Sequence, residues 1–353
     1  MRPTQLDRPR PQDEPPSLYP EAVARAKAAA AKAESTRKFA VGLVVSGLVA
    51  IITGTAFFAL AANLHQDTYG RFGAPFDVEP HPAGQTLRAN GTVPAADTAL
   101  LAKLTTTPTA TWFGPWNGNI RADVAARVDQ AAADGKIAVL VTYELPHGDC
   151  GSGSPSMASA YRTWIRQFAA GLGHHRAVVI VEPDAIPLMD CLNATGQRER
   201  VAIIKDSVQQ IERSGSWAYI DAGHSAWKSA SVIASRLKAA GIAQAAGFSL
   251  NVANYQPTKD LIAFGSQVSA LTGGKHFVLD TGRNGRAVAG NAWCNASGAG
   301  LGARPTTHTA SPLVDAYLWI KTPGSSDGTC NGGPPAGVWW PSYARMLATR
   351  ASF

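Results

Sequence analysis

The sequence of 353 residues is poor in charge, since Asp, Glu, Lys and Arg make up 16% and hydrophobic residues 45%. Disordered chains show the opposite balance, so most of this chain is expected to fold around a core. No glycine-rich dinucleotide or phosphate fingerprint follows the first predicted strand, which argues against a nucleotide-binding fold. The eight histidines include no i, i+4 pair of the zinc-protease kind. The sequence therefore predicts neither a metal nor a cofactor.

Positive charge is a weak guide to a partner here. The net charge is +7, but the first 38 residues contribute eight Lys or Arg against five Asp or Glu. Nearly half of the excess thus lies in a terminal segment rich in Pro and Ala, which is predicted to be a cytoplasmic tail over residues 1–38. No nucleic-acid partner is predicted.

A long uncharged run follows the tail. Residues 39–62 form a stretch of 24 residues without charge, and at about 1.5 Å per residue a helix of this length crosses a hydrocarbon core about 30 Å thick. Arg37 and Lys38 directly precede it, so the positive-inside rule places everything after residue 62 outside the cell. Small residues at 59–61 leave open a cleaved signal peptide, which would make the protein secreted. We expect an uncleaved, single-pass anchor in the lipid bilayer of the cell membrane.

Beyond the anchor, the pattern predicts a flexible linker over 63–95 and one domain over 96–353. Seven short apolar runs, each typical of a strand covered on both faces, alternate with six amphipathic segments. The strands are predicted at 109–113, 137–143, 177–181, 217–220, 246–250, 276–279 and 316–320, and the helices at 121–134, 158–170, 197–214, 229–240, 258–272 and 340–351. This alternation indicates parallel β/α units, and the length favours a barrel over an open sheet.

Acidic side chains follow most of these strands. Asp149, Asp184, Asp221, Asp280 and Asp327 stand at or after five strand ends, and Asn251 and Asn254 follow a sixth. Each Asp alone is commonly a helix N-cap or a turn residue. Five at equivalent positions of a barrel converge on one rim, where active sites are built. Crowded carboxylates can divide into a protonated acid and an ionised partner, and glycoside hydrolysis needs such a pair.

Cysteine and tryptophan fit an extracytoplasmic carbohydrate enzyme. Four cysteines allow three disulfide connectivities. Pairing Cys150 with Cys191 and Cys294 with Cys330 would brace three of the acidic loops. Trp112, Trp227 and Trp293 lie at strand ends or in loops and are predicted to be sugar platforms, whereas Trp164, Trp319, Trp339 and Trp340 fit core positions.

The ordered motifs YELPHGDC, VEPDAI, YIDAGHSAW, SLNVANY, LDTGRNG, WCN and WIKTPGSSDG resemble those of glycoside hydrolase family 6, the endoglucanases and cellobiohydrolases that cleave β-1,4-glucan. The resemblance implies a distorted seven-stranded parallel β/α barrel, an inverting reaction and cello-oligosaccharide ligands. It implies Asp184 as general acid, Asp149 as the neighbour that raises the pKa of that acid, Tyr143 as the residue that favours a distorted sugar ring, and Asp327 as base, a role that is debated within the family. It implies substrate-binding roles for the following residues: Trp112, Asp221, His224, Trp227, Asn251, Asn254, Trp293 and Lys321.

Two positions depart from the resembled pattern. Gly148 stands where the family commonly has Arg, and Ser325 where it commonly has Glu. Both changes remove charge near the reaction centre, so an altered rate or substrate choice is expected, and a membrane-anchored β-glucan-binding protein with weak or no catalysis is the alternative. Short segments at 285–294 and 330–339 leave no room for a tunnel, which favours endo cleavage in an open cleft. An anchored enzyme of this kind could act beside a membrane polysaccharide synthase.

Overall fold

The computed structural model describes residues 69–80, 82–84, 95–145, 155–290 and 292–353. The predicted tail and membrane anchor lie outside these residues. Across the described ranges, no helix combines the length and the apolar character needed to cross a bilayer. The chain divides into two compact units. The described part of the smaller unit, Pro9–Gly73, holds a short 3-10 helix, Gly70–Phe72, and the larger unit includes Ala74–Phe353.

Seven parallel strands form one sheet in chain order. They are β1 (Thr111–Phe113), β2 (Ala138–Thr142), β3 (Ala177–Val181), β4 (Trp217–Asp221), β5 (Gly247–Leu250), β6 (His276–Asp280) and β7 (Val314–Leu318). β2, β3, β4 and β5 are buried along their whole length, as expected for strands covered on both faces. All seven predicted strands are confirmed, each within two residues of its predicted bounds.

The seventh strand begins two residues before its predicted start. The apolar run suggested 316–320, but Val314 already pairs with Phe277 of β6. The next residue, Asp315, is charged and so hid the strand. Its carboxylate accepts hydrogen bonds from the Tyr219 hydroxyl at 2.7 Å and faces His276 Nδ1 at 2.9 Å, which makes a charged residue tolerable in this strand.

The sheet curls into a half-barrel whose first and last strands do not pair as a ladder. Two hydrogen bonds cross this seam: the Ala110 N–H donates to Trp319 O at 3.0 Å, and the Trp112 Nε1–H donates to Ile320 O at 2.8 Å. The predicted class of seven parallel β/α units is therefore confirmed, whereas the predicted barrel is open at one seam. The backbone hydrogen bond at the seam joins Ala110, which precedes β1, to Trp319, which follows β7, so the two strands themselves form no ladder.

Seven helices of eight or more residues lie in the described chain. They are α1 (Ala95–Thr105), α2 (Ile120–Ala133), α3 (Pro155–Leu172), α4 (Ala194–Arg213), α5 (Ala230–Ala239), α6 (Thr258–Leu271) and α7 (Pro341–Thr349). The last six match the predicted helices. Asn119, Asn193 and Ser229 cap α2, α4 and α5 by accepting a backbone N–H of the first turn. The unpredicted helix, α1, packs with α7 around a second apolar cluster that includes Leu104, Trp319 and Leu347.

Part of the predicted linker is fixed to the domain. The Asp77 N–H donates to Ile137 O at 2.9 Å, and the Ile137 N–H donates to Pro75 O at 2.9 Å. The Asp77 carboxylate is 1% exposed and forms a 2.7 Å ion pair with Arg127, itself 6% exposed. Arg127 also donates to the Thr111 hydroxyl of β1 at 2.9 Å. Within the predicted flexible linker over 63–95, residues 75–77 are thus held against the domain by backbone hydrogen bonds and a buried charge pair.

Replacing Asp77 with Asn should destabilise the domain strongly. The change leaves the Arg127 guanidinium buried without its counter-charge, and breaking a buried pair from one side costs about 3–5 kcal/mol. Thermal and denaturant unfolding measure the loss. The matched control is Asp134→Asn, which removes an exposed carboxylate 3.7 Å from Lys136 and should change stability little. Equal losses from the two variants would contradict a structural role for the buried pair.

Candidate active site

Contacts between neighbouring strand ends run around the mouth of the half-barrel. In a parallel sheet all carboxyl ends lie at one edge, so the loops that follow the strands meet there. The contacts that link one loop to the next involve Trp112 with Tyr143, Glu144 with Glu182, Asp184 with Asp221, Asp221 with Ser249, Asn251 with Asp280, Asp280 with Lys321, and Lys321 with Trp112. The predicted site residues from six loops thus belong to one connected arrangement.

Asp184 lies in a tight turn after β3. Its φ is 72° and that of Glu182 is 48°, so two residues on either side of Pro183 adopt the left-handed conformation that side chains usually avoid. The turn is held because the Asp184 N–H donates to Asp221 Oδ2 at 2.9 Å. Strained backbone of this kind persists where surrounding contacts fix it, and it is common at functional sites. Asp184 itself is half-buried.

Asp221 ends β4 and is 1% exposed. Burial raises the pKa of its carboxyl from 3.8 to about 7, and hydrogen bonds from the backbone N–H groups of Asp184 and Gly223 and from the Ser249 hydroxyl oppose that shift. Gly223 adopts φ 71°, and a Cβ there would lie 2.7 Å from Pro187 Cγ, so the loop needs glycine at this position. Asp221 is thus the group beside Asp184 that can change charge near neutral pH.

Glu182 and Glu144 form a second acidic pair beneath the turn. The Glu182 carboxylate accepts hydrogen bonds from the backbone N–H groups of Glu144 and Leu145, both at 3.1 Å, and from the Tyr161 hydroxyl at 2.9 Å. Burial raises the pKa of Glu182. Burial, and then the charge of Glu182, raises the pKa of Glu144 to about 7. The pair ties the start of the loop after β2 to the turn that carries Asp184.

Asp327 lies in a cationic environment. Its Oδ2 accepts hydrogen bonds from Arg283 at 2.8 Å, from the Asn295 N–H at 2.8 Å and from the Tyr255 hydroxyl at 3.0 Å. Burial alone would raise the pKa of this carboxyl, but the charges of Arg283 and Lys321 outweigh it and hold the pKa below its ordinary value. Asp327 is therefore ionised at neutral pH, with Oδ1 turned towards Lys321 Nζ at 3.7 Å.

Lys321 and Trp112 meet across the open seam. Lys321 Nζ lies 5.8 Å from the centroid of the Trp112 ring, and Trp112 packs edge-on against Tyr143 at 5.4 Å. The Lys321 N–H is itself fixed by Asp280 Oδ2 at 3.0 Å. Burial lowers the pKa of Lys321. These three predicted site residues are brought together.

His224 and Trp227 follow β4 and pack on each other with ring centroids 5.4 Å apart. Burial lowers the pKa of His224 to about 4, so the ring is neutral at neutral pH. Its Nδ1 accepts the Ala226 N–H at 3.3 Å, which assigns the remaining proton to Nε2. A neutral ring with a fixed N–H donor suits a sugar hydroxyl.

The two asparagines after β5 differ in their surroundings. Asn251 is fully buried, and its side chain donates to Asp280 O at 2.8 Å and accepts the Gln256 N–H at 3.0 Å. These contacts shape the loop, so direct sugar contact by Asn251 stays a prediction. Asn254, in contrast, has a buried Oδ1 with no hydrogen-bond partner. An unsatisfied acceptor at this mouth fits a ligand hydroxyl.

One of the two predicted disulfides is confirmed. Cys294 and Cys330 form a disulfide that ties the segment after Trp293 to the loop of Asp327. Cys191 is also disulfide-bonded, but Cys150 and Asp149 lie outside the described residues. Trp293 is 50% exposed, as expected for a platform that meets ligand from solvent.

Sequence reasoning missed several residues that organise this site. Arg283, Tyr255 and Tyr343 surround Asp327, and Arg283 lies 4.5 Å from the Tyr255 ring centroid. Asp280 was noted only as a strand-end acid, yet it accepts N–H groups of Ala253, Gly282, Ile320 and Lys321. The available signal was the motif LDTGRNG, which contains Arg283 three residues after the strand-end Asp280. No group of three metal-ligating side chains occurs among the residues described.

This chain has a parallel β/α half-barrel with acidic and aromatic side chains at its carboxyl-end mouth. That arrangement is typical of carbohydrate-cleaving enzymes of the β/α class. The chain belongs to glycosyl hydrolases family 6, whose profile matches residues 78–351. Among similar proteins, Endoglucanase A of Cellulomonas fimi is 42% identical over 76% of this chain and 60% of its own length. Endoglucanase A of Thermobispora bispora is 39% identical over 89% of this chain and 68% of its own length. The chain thus spans about three fifths to two thirds of these relatives.

Solved structures agree with this membership. The endoglucanase Cel6 from Mycobacterium tuberculosis, in complex with a methyl-cellobiosyl-4-deoxy-4-thio-β-D-cellobioside, is 42% identical with a TM-score of 0.74 and covers 78% of this chain and 97% of its own. A GH6 enzyme from Orpinomyces sp. Y102 is 28% identical with a TM-score of 0.69, covering 79% of this chain and 97% of its own.

The charge state of Asp221 predicts a pH-dependent stability. Its folded-state pKa of about 7 lies above the ordinary 3.8, so its contribution is complete below about pH 4 and is lost as pH rises through about 7. Asp221→Asn, which keeps an acceptor for the two backbone N–H groups, should therefore gain stability relative to the parent protein as pH rises from about 5 to about 8. Thermal unfolding across this range measures the difference.

The matched control is Asp190→Asn. Hydrogen bonds and charge from Lys228 and Arg236 lower the pKa of Asp190, so it stays ionised throughout that range and its variant should show a constant difference. A constant difference for Asp221→Asn as well would contradict the raised pKa.

Proposed function

We propose that this protein hydrolyses β-1,4-glucosidic bonds within cellulose-like β-glucan, with inversion and with Asp184 as the general acid. The observation that carries the proposal is the held turn after β3, in which two left-handed residues and the Asp221 carboxylate fix Asp184 at the mouth. An acid catalyst needs this fixed orientation towards the leaving oxygen. The names of the endoglucanase relatives support the substrate class.

The surrounding residues fit an inverting reaction. Asp184 gives its proton to the glycosidic oxygen while water attacks the opposite face of the sugar. Asp327, held ionised by Arg283 and Lys321, is the candidate base, acting on that water directly or through a second water. Tyr143 and the sequence-predicted Asp149 are assigned to sugar distortion and to support of the acid. His224, Trp227, Asn254, Lys321, Trp112 and Trp293 are assigned to sugar binding.

Short loops at the mouth favour an open cleft and support cleavage within the glucan chain as part of this proposal. Trp293 is half exposed, and the segment from Cys330 is a short 3-10 turn, Cys330–Gly332, held by the disulfide to Cys294. A roof over the cleft needs longer loops than these. A glucan chain could therefore enter from the side, as endo action requires.

Replacing Asp184 with Ala should lower the release of reducing ends from soluble β-1,4-glucan by about 10²–10⁴-fold, the usual contribution of general acid catalysis. A cello-oligosaccharide with a dinitrophenol leaving group needs no protonation, so its cleavage should fall far less. Reducing-end and chromogenic assays measure the two losses.

The surface variant Asp190→Asn is the control and should keep full activity, and circular dichroism checks the fold of each protein. Equal loss on both substrates would contradict the acid role. A parent protein that binds cello-oligosaccharides without releasing reducing ends would favour the binding-protein alternative, for which Ser325 in place of a carboxylate is the supporting feature.

We also propose that residues 39–62 anchor the enzyme in the cell membrane with the domain outside. The uncharged run and the preceding Arg37 and Lys38 support this orientation. In such a position the enzyme would act on β-glucan as it leaves a membrane synthase.

Cell fractionation should recover the full chain in the membrane pellet after alkaline carbonate washing, with the domain accessible to protease from outside intact cells. Deleting residues 39–62 together with the tail, and supplying a cleavable secretion signal, should move activity to the medium. If the parent protein, without this deletion, were instead recovered from the medium and began after residue 61, residues 39–62 would be part of a cleaved signal peptide.

A further inference from the structure

An exposed indole stands beyond the end of β1, beside the predicted site but outside the residues assigned to it. Trp116 is 47% exposed, one of the most exposed large hydrophobic side chains described. It follows Phe113, the last residue of β1, by three positions. An aromatic face left in water at the mouth of a carbohydrate enzyme is a surface on which a sugar ring can stack.

The turn that carries Trp116 is held at both ends. The Asn117 N–H donates to Gly114 O at 3.0 Å, and the Gly114 N–H donates to Asn117 Oδ1 at 3.0 Å. Asn117 Nδ2 also donates to Asp123 Oδ2 in the first turn of α2 at 2.9 Å. Pro115 occupies the second position of this turn, where its fixed φ is favoured. The indole is thus presented by a rigid backbone, which lowers the entropy cost of binding.

The ring lies over the same strand end as Trp112 and Tyr143. A Cβ at position 114 would fall 2.7 Å from Cη2 and Cζ3 of Trp116 and 2.5 Å from Tyr143 O. Glycine at 114 therefore leaves the space into which the far edge of the indole packs. Tyr143 is also the partner of Trp112, at 5.4 Å between ring centroids. The indole of Trp116 and the backbone of Tyr143 therefore both lie beside Gly114, and Trp112 packs on the ring of Tyr143.

We propose that Trp116 is an outer sugar-binding platform, which stacks on a glucose ring of a β-1,4-glucan chain beyond the one at Trp112. The inference rests on the proposed function for its ligand class. The apolar faces of a glucose ring match an exposed indole, while the ring hydroxyls point to solvent. A long chain reaches this platform, and a short oligosaccharide that fills the inner site does not.

The test measures binding in the Asp184→Ala background, so that turnover does not consume the ligand. Adding Trp116→Ala should weaken binding of cellohexaose about 3–10-fold, the value of one aromatic contact, and leave binding of cellotriose unchanged. Trp116→Tyr should restore most of the affinity because it keeps a stacking face. Leu271→Ala removes a comparably exposed apolar side chain from the end of α6 and should change neither affinity.

The outcomes separate the two proposals. Unchanged cellohexaose binding in Trp116→Ala, or an equal loss for both ligands, would overturn the platform while leaving the proposed function intact. A parent protein that releases no reducing ends and an Asp184→Ala protein that binds neither oligosaccharide would instead remove the proposed function.

Discussion

The arrangement of the site depends on buried carboxylates that are solvated by backbone N–H groups of neighbouring loops. Glu182 accepts N–H groups from the loop after β2, Asp221 accepts one from the turn after β3, and Asp280 accepts N–H groups from the loops after β5 and β7. A buried carboxylate without such donors would cost several kcal/mol. Each acid therefore fixes the loop of an adjacent strand, and the acids together determine the shape of the mouth.

This constraint explains why the carboxylates differ in charge. Glu182, Asp221 and Asp280 accept hydrogen bonds mainly from neutral groups, so burial dominates and raises their pKa values, although the charge of Arg283 opposes the shift at Asp280. Asp327 faces the full charges of Arg283 and Lys321, which lower its pKa. Carboxyl groups of the same mouth therefore have pKa values that are shifted in opposite directions. Acid and base chemistry in one cleft requires such a difference in pKa.

The acidic residues at the strand ends could be identified from the sequence, but the role of each one could not. Alternating apolar runs predicted the seven strands and six of the helices, because period and burial agree in parallel β/α units. α1 was missed because it starts at Ala95 after a segment rich in Pro and Gly. Asp280 and Asn251 could not be told from ligand-binding residues in the sequence, because the backbone groups that their side chains bond come from distant loops that only folding brings close. Arg283 was overlooked because a buried cation has no periodic signature.

The contacts of Asp327 indicate how Ser325 affects the charge of the site. The resembled family commonly has Glu there, which would add a negative charge two residues before Asp327. Without it, Asp327 is the carboxylate with which both Arg283 and Lys321 form ion pairs in the described part of the chain. Their excess positive charge strengthens ionisation of Asp327 and weakens it as a proton acceptor. An ionised carboxylate with a lowered pKa can still orient a water molecule and stabilise the positive charge that develops on the sugar, but it is a poor acceptor for a proton. In the proposed reaction, Asp327 would therefore be a weaker base than an isolated aspartate, whether it received the proton directly or through a second water.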